Sequence, residues 1–146
     1  DRLAAVREAA RVLKPGGVAL AFAIPSYAST LVGLQRWWMG DPDYRAMCRE
    51  ELATGRHEPP ASRPNLFTTA YFHRPGELEA ELEAGGLIPR KTLAIEGPAV
   101  VVPDLDERLS DPADHDALIE LIRSLEEDEL ALRMSAHVVA VAEKAG

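Results

Sequence analysis

Arg11-Val12-Leu13-Lys14-Pro15-Gly16-Gly17, followed at once by Val18-Ala19-Leu20-Ala21-Phe22-Ala23-Ile24, decides the fold. It reads as a helix stop, a hard turn and a buried strand. Upstream, Leu3, Val6, Ala10 and Leu13 recur at three- and four-residue steps, which places them along one helical face. Pro15 cannot continue that helix, because it has no N–H and disfavours helical geometry in Lys14. The two glycines then supply the backbone freedom that a reversal needs. The apolar run from Val18 to Ile24 is long enough for a strand and too short to span a membrane. An uninterrupted run of this kind is expected to be covered on both faces, as strands of parallel sheets are. Val18, Leu20, Phe22 and Ile24 point one way, and Ala19, Ala21 and Ala23 the other, so the alanine face lets a helix approach closely. The result is a helix–turn–strand piece of an α/β sheet.

The rest of the composition bounds what this piece can belong to. At 146 residues the chain is one domain's worth, and its formal charge is −8. The acids concentrate after residue 100, and no basic stripe interrupts them. Nucleic-acid affinity rests on neutralising phosphates, so DNA and RNA are not expected as partners. No apolar run is long enough for a membrane span, and there is no basic-then-apolar leader. The single cysteine, Cys48, cannot form an internal disulfide, which suits a reducing compartment and a cytoplasmic location. The first residue is Asp1, which suggests that an upstream portion precedes it.

Past Ile24 the character changes. Tyr27, Leu31, Leu34 and Trp38 share a helical face that Gly40 ends, and Asp41-Pro42 opens a second helix to about Leu52, with Tyr44, Met47, Cys48 and Leu52 on one side. Residues 54–69, rich in Gly, Pro, Ser and Asn, predict a long irregular loop of the kind that forms a lid. A helix from His73-Arg74-Pro75 follows, with Leu78 and Leu82 buried and Gly85-Gly86 as its stop. Next come a strand over 88–96 and an ambiguous stretch from Ala99 to Leu109. Asp111-Pro112 caps a long helix that turns Leu118, Ile119, Ile122 and Leu125 inward. Glu126 to Glu129 reads as a solvated charge run, and the last strand as Ala136 to Glu143.

"EAARVLKPGGVALAFAI" resembles the segment that ends the cofactor-binding core of class I S-adenosylmethionine-dependent methyltransferases. There a helix leads through a Lys-Pro-Gly-Gly turn into the fifth strand. "YFHRPGELEAELEAGGL" looks like the helix before the sixth strand, "IPRKTLAIEG" like that strand, and "SAHVVAVAEK" like the closing antiparallel strand. The resemblance covers the ends of the chain better than residues 26–70. It implies the carboxy-terminal half of a Rossmann-like methyltransferase sheet, three strands with the last antiparallel. Residues 1–146 would then be part of a single methyltransferase domain, with a helical cap or substrate insertion at 26–70. It further implies S-adenosylmethionine as cofactor, with its glycine-rich loop and ribose-binding acid upstream of this chain, so that no cofactor-binding residue is assigned here. The chain alone is expected to be inactive, and to pair either with a second copy as a homodimer or with a missing upstream half.

Ligands of open α/β sheets sit beyond the carboxyl ends of the strands, which places Pro25, Ser26 and Tyr27 at the expected site. Ser26, Tyr27, Trp37, Tyr44, Phe67 and Phe72 are the candidate substrate-binding residues, lining an apolar pocket for a small-molecule acceptor, or else forming the cap's own core. Tyr71 and His73 are the candidate catalytic pair. In an extended segment they point the same way, just before a helix start that disfavours imidazole protonation. A neutral His73 there could take the acceptor's proton. The alternative is that it caps the helix. His137 reads as a core histidine, and His57 and His115 as solvated. No metal-ligand spacing occurs. The expected function is methyl transfer to a small molecule. The alternatives are a catalytically silent interaction module and a fragment of a nicotinamide-dependent oxidoreductase, since one fold hosts many activities.

Overall fold

The turn at 14–17 takes the shape its residues require in the computed structural model, which describes residues 1–146. Helix α1 (Arg2–Val12) starts at Asp1, whose carboxylate accepts from Ala4 N–H at 3.1 Å, and stops when Leu13 turns extended. Gly16 adopts φ +71°, a left-handed conformation, and a Cβ on Gly17 would stand 2.8 Å from the Lys14 carbonyl oxygen. One glycine is needed for its dihedral and the other for lack of space. The turn is tied to the far end of the chain: Gly16 N–H donates to the Lys144 carbonyl, Lys144 N–H to that of Gly17, and Lys144 Nζ to that of Leu13.

Three strands form the main sheet: β1 (Val18–Ala23), β4 (Leu87–Ala94) and β5 (Val138–Lys144), in the order β1-β5-β4. Both pairings are antiparallel, so this is a small antiparallel sheet with helices and not the parallel ladder that an unbroken apolar strand suggests. The two outer strands run the same way, and β5 runs against both. Strand β4 is also shorter than its sequence pattern and breaks register between Pro89 and Lys91, because Pro89 has no N–H to donate.

On one face Ala19, Ala21 and Ala23 stand opposite Ala142, Ala140 and Val138. Small side chains let α1 and α4 (Glu77–Ala84) pack there, burying Ala10, Leu78, Leu82 and Leu87 in the principal core. The two helices also touch each other, and a Cβ on Gly85 would fall 2.2 Å from Val6 Cγ1. The other face departs from expectation. Val18, Leu20 and Phe22 are 57%, 60% and 67% exposed, because the helices on either side of β1 and β4 gather on the alanine face.

Residues 26–70, the expected cap, hold two helices, a 3₁₀ turn and a short ladder strand, all outside the main sheet. Helix α2 (Ala28–Gln35) is shorter than its apolar stripe, since Trp37 at φ +55° breaks it before a 3₁₀ turn at Trp38–Gly40. Helix α3 (Pro42–Thr54) starts as expected, with the Asp41 side chain accepting from Asp43 and Tyr44 N–H. The stretch after it is not wholly irregular. β2 (Arg56–His57) pairs with β3 (Ala70–Tyr71), closing the loop between them at its base. Beyond β4, a 3₁₀ turn at Gly97–Val101 and α5 (Leu105–Ser110) fill the ambiguous stretch. Helix α6 (Pro112–Leu125) buries no residue fully, so its apolar stripe is only half covered. The acidic run does more than face solvent: Asp128 caps α7 (Glu129–Met134) by accepting from Leu130 and Ala131 N–H. No helix is long and apolar enough to cross a membrane.

Candidate functional site

Two hollows flank the end of β1. The first, of about 200 Å³, lies on the alanine side, between Tyr27, His73, Arg74, Leu78, Thr92 and Arg133. The structure brings Tyr71 and His73 together, with ring centres 5.2 Å apart and edge to face. Both are tied to α4. The Tyr71 hydroxyl donates to Glu77 Oε2 at 2.8 Å, His73 Nε2 lies 3.2 Å from Glu81 Oε2, and Arg2 covers the Tyr71 ring at 3.4 Å while pairing with Glu81. Burial and the Glu77 carboxylate both raise the Tyr71 pKa, which keeps the phenol protonated. His73 also continues the end of β1 as a bridge, its N–H donating to the Ile24 carbonyl and its carbonyl accepting from Ser26 N–H. These contacts fasten α4 and the cap to the sheet.

The second hollow, of about 190 Å³, lies under the cap at the same strand end. Ile24, Val32, Leu66, Phe67 and Phe72 make it apolar, and Tyr44 and His57 reach it from the cap. Tyr44, Phe67 and Phe72 are therefore brought together as the sequence suggested. The Tyr44 hydroxyl donates to the Ser29 carbonyl at 2.6 Å, and burial raises its pKa. Ser26 lines neither hollow: it is buried, its N–H donating to the His73 carbonyl. Tyr27 faces the first hollow. Trp37 joins neither: it is 91% exposed on the left-handed residue that ends α2.

At the wall of the second hollow stands a pair that the sequence reading missed. His57 is 1% exposed, not solvated, and its Nδ1 lies 2.5 Å from Oε1 of Glu51, itself fully buried. Ser29 Oγ donates to the same carboxylate oxygen at 3.0 Å. The ring stacks on Phe72, with centres 4.5 Å apart and planes 10° from parallel, and meets Phe67 edge on. Strand β2 places the ring: the β2–β3 ladder and Gly55, at φ +77°, turn the chain off α3 so that His57 folds back over Glu51. Burial pushes the Glu51 carboxyl up in pKa, against the hydrogen bonds from His57 and Ser29. His57 Nε2 and Glu51 Oε2 have no protein partner, although both are buried. A readable signal for this existed. Glu51 sits at i+7 from Tyr44 and i+3 and i+4 from Cys48 and Met47, on the buried stripe, where a carboxylate needs a partner.

The Ser29 hydroxyl bonds the carboxylate and not the imidazole, so the three do not form a nucleophile–base–acid chain. His137, expected in the core, is more than half exposed and pairs with Glu96 at 2.6 Å. Its carbonyl accepts from Ile95 N–H, and the residue borders the second hollow beside Ala136. No group of three or more His, Cys, Asp or Glu side chains is placed to hold a metal ion. Compared with known proteins, the sequence matches no family model and no curated protein.

Proposed function

We propose that this chain forms the acceptor side of a class I S-adenosylmethionine-dependent methyltransferase acting on a small, largely apolar molecule. The observation that carries the reading is the sheet. Two like-directed strands, each preceded by a helix on the same face, are separated by the last strand running against both. That is the arrangement implied by the Lys-Pro-Gly-Gly turn and the segments that resemble the end of such a domain. The second hollow opens at the carboxyl end of β1, where α/β sheets bind ligands, and the cap roofs it.

S-adenosylmethionine, when bound, supplies an electrophilic methyl group. The residues present fit the acceptor and not that cofactor's charged methionine end: the second hollow is apolar and offers no lysine or arginine. The chain's own part is to hold the acceptor against the apolar wall that includes Phe67 and Phe72, which is how positioning enters the rate of a displacement. Tyr71 and His73 serve this indirectly, by locking α4 and the cap to β1.

The test is a calorimetric titration of the full gene product with S-adenosylmethionine, followed by label transfer from it to a panel of small phenols and amines. Binding together with transfer to at least one apolar acceptor is expected. Absence of both would favour an interaction module, a second reading to which the exposed Val18, Leu20 and Phe22 lend an observation of their own.

A further inference from the structure

The buried pair at the wall of the second hollow is unexplained by packing alone. A buried polar atom without a partner is costly, and two such atoms lie here within one pair. Packing α3 against β2 would need neither atom, since apolar residues of the same shape would hold these elements as well. What the pair provides is a defined proton arrangement. The Glu51 carboxylate only accepts, so His57 carries its proton on Nδ1 and presents a lone pair on Nε2. In that form the pair holds one net negative charge.

We propose that the second hollow is a binding site for a single-ring, hydroxyl-bearing apolar molecule, and that His57 accepts the hydroxyl proton. The size sets the class: a cavity of about 150 Å³ holds benzene, and this one has about 190 Å³. The charge narrows it further. The lining holds no lysine or arginine, its second histidine, His137, is already paired with Glu96, and the buried pair carries a carboxylate, so an anionic ligand finds no counter-charge while a neutral phenol or alcohol needs none. Phe72, stacked on the imidazole, and Phe67, at its edge, would flank the ligand ring. In the step, the O–H bond breaks, an Nε2–H bond forms, and the electron pair remains on oxygen. Glu51 and Ser29 act as positioning residues that hold the tautomer. The binding site stands on this geometry alone; its use by a methyltransferase, for which His57 would hold the acceptor's proton, rests on the reading above.

The experiment compares p-cresol with toluene, two probes of one shape that differ in the hydroxyl. With histidine-labelled protein, p-cresol is expected to bind at least about tenfold tighter than toluene and to move the His57 Nε2 nitrogen resonance, which toluene leaves in place. His57→Gln is expected to remove that preference, while toluene binding shows that the hollow is still folded. Equal binding of the two probes, no binding of either, or an unmoved Nε2 resonance would overturn the proposal, and the unaltered protein suffices for each. In the label-transfer assay, His57→Gln is expected to lower transfer to p-cresol by roughly 10²- to 10⁴-fold. Unchanged transfer would remove His57 from the proton step. Phenol selectivity in a gene product that binds no S-adenosylmethionine would leave the binding site standing and overturn methyl transfer.

Discussion

Glu77, at the start of α4, holds more of the structure than its partly exposed position suggests. Its carboxylate accepts from the Tyr71 hydroxyl, from Arg74 N–H and from the Arg74 guanidinium. Burial alone would raise its pKa, but the Arg74 and Tyr71 bonds outweigh that and bring it from the ordinary 4.5 to about 2. A depressed carboxylate pKa contributes stability that is fully present above the unfolded value and is lost as pH falls through the folded one. Acid titration followed by circular dichroism should therefore show the wild-type protein losing stability between pH 4.5 and about 2. Glu77→Gln should flatten that window, and an unchanged slope would show that the contacts are not formed. Tyr71→Phe removes one bond and should cost about 1 kcal/mol in denaturant unfolding. At this scale the sequence was least legible. Tyr71 and His73 were legible as neighbours from their alternation, but their carboxylate partners lie on the next helix. His57 read as solvated because its flanks are polar. Its burial depends on the chain folding back onto Glu51, which no local pattern encodes.

Helices and strands were more legible where one face alone decides them. The stripe of α1, the proline–glycine stop and the caps at Asp41 and Asp111 all act within a few residues, and each formed where its chemistry placed it. Helix α2 packs close to α3 at Gly33: a Cβ there would stand 2.4 Å from Met39 Cε and from Tyr44 Cε1, so the backbones approach more closely than a side-chain stripe predicts. The contact of α1 with α4 is of the same kind and gives a clean test. Gly85→Ala drives a methyl into Val6 and should destabilise by about 1–3 kcal/mol. Val6→Ala should recover part of that loss in the double variant, a coupling read from thermal unfolding. Additive losses would mean that the helices sit further apart.

For the whole molecule the uncovered side of β1 dominates behaviour. The free edge of that strand lies beside Val18, Leu20 and Phe22, with no charge or proline inside it to deter another chain. Residues 1–146 by themselves should associate as concentration rises, which light scattering would follow. Leu20→Lys should shift the population toward monomer while leaving the melting temperature within a few degrees, because the side chain is already mostly wet. A monomer at all concentrations would show the face to be harmless. The place of β5 in the sheet has a consequence in time. The strand that joins β1 to β4 comes last of the three, and the cap and four further helices are made before it. Until β5 arrives, β1 has no hydrogen-bonding neighbour in the sheet, and closing the sheet means closing a loop almost as long as these residues allow. Folding should therefore be slow for the protein's size, with local helices forming first and the sheet in the rate-limiting step. A nascent chain stalled before residue 138 would leave an apolar strand waiting, an opening for chaperones and for misassembly alike.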